Sequence, residues 1–227
     1  MIATKNRRKL FERALRYFQA QTLEDRELIV VDDGSDSVED LCAPAANVRY
    51  LRTEPLPLGT KMNLGFEAAR GDRFQKLDDD DFYHPDFLRA SAATFESAGG
   101  EEVIVAWDCF LLWTSGDDRL RFSGFNRQAG STLGFPRAVW ERTKFRDIPK
   151  SVDSRFLEDA QTTVLGVRAP EMHVVFRHGA NTWNQLRSGK PTDDWARSRP
   201  EYPKTLEEVV GEEAARFYRE YADSDGI

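Results

Sequence analysis

Four consecutive aspartates, Asp78 to Asp81, follow a short apolar run and stop shortly before Pro85. Carboxylates repel one another unless a cation gathers them. Residues 73–77 read as a strand, so the acids lie at its carboxyl end, where ligands of open α/β sheets bind. Adjacent hard oxygen ligands suit Mg²⁺ or Mn²⁺, which keep waters and accept phosphate oxygens. The run predicts either a metal site with a phosphate-bearing ligand or a solvated acidic turn ahead of a helix.

A second acidic pair, Asp32 and Asp33, follows the apolar run 28–31 and precedes Gly34 and Ser35. An acid at a strand end can accept a hydrogen bond from a nucleobase imide or a ribose hydroxyl. It can equally cap its own loop as an Asx turn, and alone the pair favours that interpretation.

The elements that must position these acids follow an alternating pattern in the first half of the chain. Apolar runs alternate with helical spacing, which predicts an α/β fold with a mostly parallel, helix-covered sheet. The predicted strands are 2–4, 27–32, 48–52, 73–77, 103–113, 119–122 and 172–177. The predicted helices are 10–18, 61–69, 85–98, 137–142, 151–165 and 206–221.

Composition limits the classes of ligand. The 227 residues, 40% of them hydrophobic, suffice for one domain with a real core. A formal charge of -7 gives no general attraction to nucleic acid or anionic lipid, so a phosphate-bearing ligand must be held locally. We expect a small ligand and no nucleic-acid partner.

The two cysteines, Cys42 and Cys109, lie far apart without metal-like spacing, which fits a reducing compartment. No stretch reaches the 18 or so apolar residues of a membrane span, and the start has no signal-peptide pattern. We expect a cytoplasmic protein without a membrane span and with at most peripheral membrane contact.

Several motifs in series carry a resemblance to a known family, in their order and in their spacing. Together they resemble the nucleotide-binding half of family 2 glycosyltransferases, closely over residues 1–90 and loosely over 130–185. The motifs are Thr4 with Asn6, the sequence Gln19-Ala20-Gln21-Thr22, residues 28–35, residues 59–63, residues 69–72, and residues 77–81 with Pro85.

This resemblance implies a GT-A fold, Rossmann-like in its nucleotide-binding half, a nucleotide-sugar donor, and a Mn²⁺ or Mg²⁺ ion at a DXD motif. It implies one GT-A domain over 1–185, in which 1–90 binds the nucleotide-sugar and 91–185 is the acceptor and catalytic half. Residues 186–227 are expected to be a C-terminal helical appendage. The first predicted strand is short for the family, which leaves open whether the chain starts further upstream.

The resemblance also implies residue roles. Asp80 is expected to contact the metal, and Asp78 with Asp79 to lie near the ribose or metal waters. Lys61 lies where the family often has a cation near the diphosphate or base, although it could be a solvated residue of a first helical turn. The remaining residues expected to line the base and ribose are Thr4, Asn6, Asp32 and Asp33.

His178 lies in a segment resembling the one where many GT-A enzymes place a metal-binding histidine, so it is the candidate third ligand. A purely structural role is the alternative. Asn181 and Trp183 could bond to or stack on a sugar.

An inverting transfer needs a base that removes the acceptor hydroxyl proton. By resemblance this is an Asp, often preceded by Glu, at the start of a late helix. Glu158-Asp159 matches that pair but falls two turns inside the predicted helix. Asp153 lacks the preceding Glu but keeps the family's Phe-Leu spacing and lies in the first turn, so we favour it. A helix-dipole partner for Asp153 and a surface acid for Asp159 remain the alternatives.

Acceptor contacts are less specific. Residues 130–135 resemble the acceptor-side loop, and Trp107, Asp108 and Trp113 could shape an acceptor pocket, although core aromatics are the more common use. The chain has neither the Gln-x-x-Arg-Trp motif nor the membrane spans of processive members.

The leading hypothesis is a metal-dependent, inverting glycosyltransferase that moves one sugar, UDP-linked in the first instance, to a hydroxyl of a glycan, lipid-linked saccharide or small molecule. A non-catalytic nucleotide-sugar-binding module is the second. A sugar nucleotidyltransferase ranks below both, because the chain lacks a Gly-rich basic loop for a triphosphate.

Overall fold

The computed structural model describes residues 1–114, 116–178, 181 and 192–224. Within these residues the strands are β1 (Ile2–Thr4), β2 (Leu28–Asp32), β3 (Val48–Arg52), β4 (Arg73–Gln75), β5 (Phe82–Tyr83), β6 (Ile104–Trp107), β7 (Leu111–Thr114), β8 (Arg119–Phe122), β9 (Gly134–Pro136), β10 (Val164–Val167) and β11 (His173–Arg177). The α-helices are α1 (Arg8–Gln19), α2 (Glu39–Cys42), α3 (Leu58–Ala68), α4 (Phe87–Ser97), α5 (Arg137–Arg142), α6 (Val152–Ala160), α7 (Thr192–Arg197), α8 (Leu206–Val210) and α9 (Glu212–Ser224).

The N-terminal sheet has the order β1-β2-β3 with all strands parallel. Every residue of β2 is buried, as expected for a parallel strand covered on both faces. The backbone N–H of Leu77 donates to the carbonyl of Met1 at 3.0 Å, which joins this sheet to the segment after β4. The α/β architecture with parallel strands is confirmed.

Two further sheets have the orders β10-β6-β9-β4 and β5-β11-β7-β8. In them β6 pairs with β10 and β7 with β11 in parallel, whereas β9, β5 and β8 pair antiparallel. The acidic run Asp78–Asp81 is the turn between β4 and β5. Because β5 pairs with β11, this turn lies close to the end of β11.

Two large hydrophobic clusters and one smaller cluster form the core of the described residues. One large cluster contains the buried face of α1 with Phe87, Trp107, Trp113 and Phe176, and the other gathers Phe66, Phe74, Phe135 and further rings around α3, α5 and α6. Both large clusters flank the strands whose ends carry the acids, so the site is supported by packed side chains rather than by loops alone.

Several predicted elements differ in extent from the observed ones, and a strand and a helix of the second half differ most. The single strand expected over 103–113 is two strands in different sheets, because the chain breaks at Asp108–Phe110, where the Phe110 N–H donates to Ser123 Oγ at 3.0 Å. The helix expected over 151–165 ends at Ala160. Gln161 there has a left-handed φ of 45°, and the β-branched residues that follow lead into β10.

The C-terminal helices pack on the first core cluster. Gly211, with φ of 84°, separates α8 from α9, so the helix expected over 206–221 is interrupted. Tyr218 is buried and its hydroxyl accepts a hydrogen bond from that of Tyr17 at 3.2 Å. The expected boundary at 185/186 lies outside the described residues. Among the helices that are described, none is both long and apolar enough to cross a membrane.

Candidate functional site

The acidic turn gathers three carboxylates. Asp78, Asp80 and Asp81 each offer one oxygen, and these oxygens lie within 4.8 Å of one another. The Tyr83 hydroxyl accepts the N–H of Asp78 at 2.7 Å and donates to the Ser131 carbonyl at 3.0 Å, which holds the turn in place. The sequence predicted the acids as a group but gave no role to Tyr83.

Asp80 lies at the centre of a network of hydrogen-bond donors. Its Oδ2 accepts hydrogen bonds from Arg7 Nη1 at 3.0 Å and Asn181 Nδ2 at 3.1 Å, and it lies 3.0 Å from His178 Nε2. Burial would raise the pKa of this carboxyl, but the His178 hydrogen bond and the Arg7 charge outweigh it and lower the pKa to about 2. Asp80 is therefore ionised at any physiological pH.

Arg7 is the principal residue that the sequence analysis missed. Its Nη1 also donates to Asp79 Oδ1 at 2.8 Å, and Asp79 Oδ2 accepts a hydrogen bond from Thr4 Oγ1 at 2.7 Å. The only sequence signal was a cation immediately after the predicted first strand and Asn6. The structure thus brings Thr4 and Asp79 together. Their side chains are already hydrogen-bonded, Thr4 to Asp79 and Asp79 to Arg7.

Asp81 faces the protein interior. Its Oδ1 accepts the Phe176 N–H at 3.2 Å, and its Oδ2 lies 3.5 Å from His173 Nε2. Burial, and after it the charges of Asp80 and Asp78, raise the pKa of Asp81 well above its usual range. A nearby cation would favour its ionised form.

Asp153, in the first turn of α6, reaches the same site. Its Oδ2 lies 3.2 Å from Nζ of Lys76. The same Nζ lies 2.7 Å from Oδ1 of Asp78 in the acidic turn. Burial raises the pKa of Asp153 to about 6, against the lowering effect of Lys76. A carboxyl with such a pKa is ionised at pH 7 and basic enough to accept a proton.

Asp159 lies elsewhere. Both of its oxygens accept hydrogen bonds from the Arg146 guanidinium, at 2.8 and 2.6 Å, and this hydrogen bonding lowers the pKa of Asp159. The pair is on the exposed side of α6. The structure does not bring Asp159 into contact with the acidic turn.

Asp32 caps its own loop. Its Oδ1 accepts the Gly34 N–H at 2.8 Å, and its Oδ2 accepts the Val38 N–H at 3.2 Å and the Tyr50 hydroxyl at 2.9 Å. Asn6 binds the same loop, accepting the Asp36 N–H at 3.0 Å. These bonds correspond to the Asx-turn alternative.

Asp33 forms a buried ion pair with Lys61, whose Nζ lies 2.8 Å from Asp33 Oδ1. Asp33 Oδ2 also accepts the Leu56 N–H at 3.2 Å. Lys61 is buried, which removes the solvated alternative. Asp32 and Asp33 thus shape the loop beside β1, and Lys61 supplies a cation there.

The aromatic acceptor candidates belong to the core. Trp107 stacks on Phe87 with centroids 4.0 Å apart, and Trp113 stacks on Phe176 at 5.2 Å. Both indoles are fully buried, so the acceptor-pocket interpretation of these two residues was wrong. Trp183 lies outside the described residues.

The donor set fits a divalent cation. Three carboxylates with oxygens in mutual reach are the hard ligands that Mg²⁺ and Mn²⁺ prefer. Asp78, Asp80 and Asp81 could hold the ion. His178 could add a nitrogen ligand or orient Asp80 through their contact.

Comparison with known proteins defines the class of this chain. The family model described as glycosyl transferase family 2 matches residues 1–129, more than half of the chain. The chain therefore belongs to glycosyl transferase family 2. EpsH of Bacillus subtilis (strain 168), whose name assigns it to the glycosyltransferases, is 31% identical over 110 residues, covering 46% of this chain and 31% of EpsH.

Solved structures share the fold. S. aureus TarS 1-349 in complex with UDP-GlcNAc has a TM-score of 0.64 at 17% identity, covering 82% of this chain and 60% of that chain. The mannosyltransferase PcManGT from Pyrobaculum calidifontis, in complex with GDP-Man and Mn²⁺, has a TM-score of 0.59 at 17% identity, covering 78% and 55%. The chain has the GT-A fold, as the resemblance implied, and it spans less than two thirds of each of these relatives.

Proposed function

We propose that this chain is a metal-dependent, inverting glycosyltransferase that moves one sugar from a nucleotide-sugar to a hydroxyl acceptor. The observation that carries the proposal is the convergence of the acidic turn and Asp153 on Lys76. The proposed metal site and the proposed base thereby lie on either side of one ammonium group.

The acidic turn is proposed to receive the diphosphate end of the donor. Asp80 would contact the metal, with Asp78 and Asp81 within reach, and His178 would ligate beside Asp80 or orient it. A bound Mn²⁺ or Mg²⁺ would neutralise the charge that develops on the departing nucleoside diphosphate. The low pKa of Asp80, about 2, supports this assignment because it keeps the carboxyl ionised.

The nucleoside is proposed to lie over the loop beside β1. Thr4, Asp79, Asn6, Asp32 and Asp33 surround this region, and the buried Lys61 adds positive charge. Because Asp32 and Asn6 already bond to the loop, their contribution would be to shape the base pocket through that loop.

Asp153 is proposed to be the general base. Its carboxylate would take the proton of the acceptor hydroxyl while the acceptor oxygen forms a bond to the anomeric carbon. The bond from that carbon to the diphosphate oxygen breaks, and its electron pair leaves with the diphosphate. Attack opposite the leaving group inverts the anomeric centre. Asp159, held by Arg146, is the less supported alternative.

UDP is the proposed nucleotide, supported by the complexes of TarS, although PcManGT is bound to GDP-Man. A glycan, lipid-linked saccharide or small molecule would be the acceptor. A cytoplasmic location is proposed because Cys42 and Cys109 are both free and buried.

Calorimetric titration of UDP, GDP and dTDP, each with and without Mn²⁺, tests the donor site. We expect Mn²⁺-dependent binding of one nucleotide, weakened at least about tenfold in Asp80→Asn. Asp72→Asn, a change of an exposed acid away from the turn, is the matched control and should bind normally. Nucleotide affinity that is the same with and without Mn²⁺ would refute the role of the metal. If none of the three nucleotides binds, the proposed donor site is refuted.

Nucleotide binding without turnover of any donor across an acceptor panel would favour a non-catalytic binding module. Circular dichroism of each variant separates loss of a ligand contact from loss of the fold.

A further inference from the structure

Lys76 is a buried cation between two acidic groups on separate elements. It follows β4 directly, and its side chain is 4% exposed. Its Nζ lies 2.7 Å from Asp78 Oδ1, 3.2 Å from Asp153 Oδ2 and 3.3 Å from the Gly130 carbonyl oxygen. An ammonium has three N–H donors, so these three acceptors account for all of them.

The backbone fixes where this ammonium can be. The Lys76 N–H donates to the Leu133 carbonyl at 2.8 Å, which extends the pairing of β4 with β9. Burying a charge costs several kcal/mol unless partners compensate it. Asp78 and Asp153 are these partners, and the ammonium of Lys76 holds both carboxylates.

Gly130 allows this close approach. A Cβ at Gly130 would come within 2.5 Å of Asp153 Oδ2. Only a residue without a side chain lets the Gly130 carbonyl reach Lys76 while Asp153 stays beside it. Lys76, Gly130 and Asp153 thus form one packed unit.

We propose that Lys76 is a positioning residue that fixes the base Asp153 relative to the donor-binding acid Asp78, an inference that rests on the proposed function. Lys76 restrains Asp153 Oδ2. Asp153 Oδ1 is buried and has no hydrogen-bond partner among the described residues, so Lys76 holds the carboxylate through Oδ2. One ammonium thereby aligns the proton acceptor with the edge of the donor site.

The first test measures coupling and needs no substrate. Unfolding free energies of Lys76→Gln, Asp153→Asn and the double variant form a double-mutant cycle at pH 8. We expect the interaction to change the folding equilibrium constant at least about tenfold. A coupling below about threefold would overturn the inference whether or not the protein transfers sugar.

The second test is kinetic and uses the nucleotide-sugar that binds. In Lys76→Gln we expect kcat to fall about 100-fold, at least about tenfold more than the donor KM and the calorimetric Kd for the nucleotide rise. Lys76→Arg, which keeps the charge, should recover part of the loss.

Arg121→Gln is the matched control, because Arg121 is also buried and paired, with Asp117, away from the acidic turn. Equal kcat losses in Lys76→Gln and Arg121→Gln would show a merely structural effect and overturn the inference. A wild-type protein that transfers no sugar would overturn the proposed function instead, and the coupling test would still decide the contact.

Discussion

The imidazole Nε2 of His178 lies 3.0 Å from Oδ2 of Asp80, a residue 98 positions earlier in the chain. The contact exists because β5 and β11 pair, which brings the acidic turn to the end of β11. Phe176 stacks against the same imidazole with centroids 5.2 Å apart, so the ring is fixed in orientation.

We predict that His178→Ala weakens Mn²⁺-dependent nucleotide binding about 10- to 100-fold, whether the imidazole ligates the ion or orients Asp80. Calorimetry with and without Mn²⁺ measures this. His84→Ala, which changes the partly exposed histidine beside the turn, should have little effect. Unchanged Mn²⁺-dependent binding in His178→Ala would remove His178 from the site.

Arg7→Gln is predicted to destabilise the fold by about 2–4 kcal/mol, because it leaves two buried carboxylates without their cation. Mn²⁺ should recover part of this loss, since an ion at the turn can replace the lost charge. Urea unfolding with and without Mn²⁺ measures both effects. Arg8→Gln, the partly exposed neighbour paired with Asp40, should change stability far less, because surface ion pairs contribute little. Equal effects of the two substitutions would contradict the counter-ion role of Arg7.

The local sequence was enough to predict much of the first half. The observed β1, β2 and β3 match the predicted 2–4, 27–32 and 48–52 to within a residue, because their apolar runs are bounded by turn residues. The acids were also correctly expected at the carboxyl end of a strand. These features depend only on residues that are neighbours in sequence, so they can be predicted without knowledge of tertiary contacts.

The rest of the fold depends on tertiary contacts. β5 and β9 are two and three residues long and exist only through their pairing, so no periodicity could reveal them. The ion pairs of Arg7 and Lys76 could not be predicted, because their partners Asp80 and Asp153 are distant in sequence. The packing of α9 on the core could not be predicted either. The amphipathic pattern of a helix identifies its apolar face but not the residues that pack against that face.

The raised pKa of Asp153 predicts that Asp153→Asn increases the free energy of unfolding in a pH-dependent way. The folded pKa is about 6 against the ordinary value 3.8, so the wild-type fold loses stability as pH rises between these values. At pH 8 Asp153→Asn should be more stable than wild type by about 1–3 kcal/mol, and near pH 4 it should gain nothing. Urea unfolding at both pH values measures this. If Asp153→Asn were less stable than wild type at pH 8, the pKa of Asp153 would not be raised in the folded protein.

Tyr218 tests whether the C-terminal helix belongs to the core. Tyr218→Ala should lower the free energy of unfolding by about 3–5 kcal/mol, because the ring packs against Phe176 with centroids 4.6 Å apart. Tyr218→Phe, which loses only the contact with the Tyr17 hydroxyl, should cost about 1 kcal/mol. Phe125→Ala, at a ring 55% exposed, is the control. A loss below about 1 kcal/mol in Tyr218→Ala would mean that α9 is dispensable.

Sugar transfer by Asp153→Asn and Asp159→Asn distinguishes the two candidate bases. We expect Asp153→Asn to bind the nucleotide with Mn²⁺ as wild type does but to transfer sugar at least about 100-fold more slowly, while Asp159→Asn transfers normally. Normal transfer by Asp153→Asn together with its loss in Asp159→Asn would show that Asp153 is not the base.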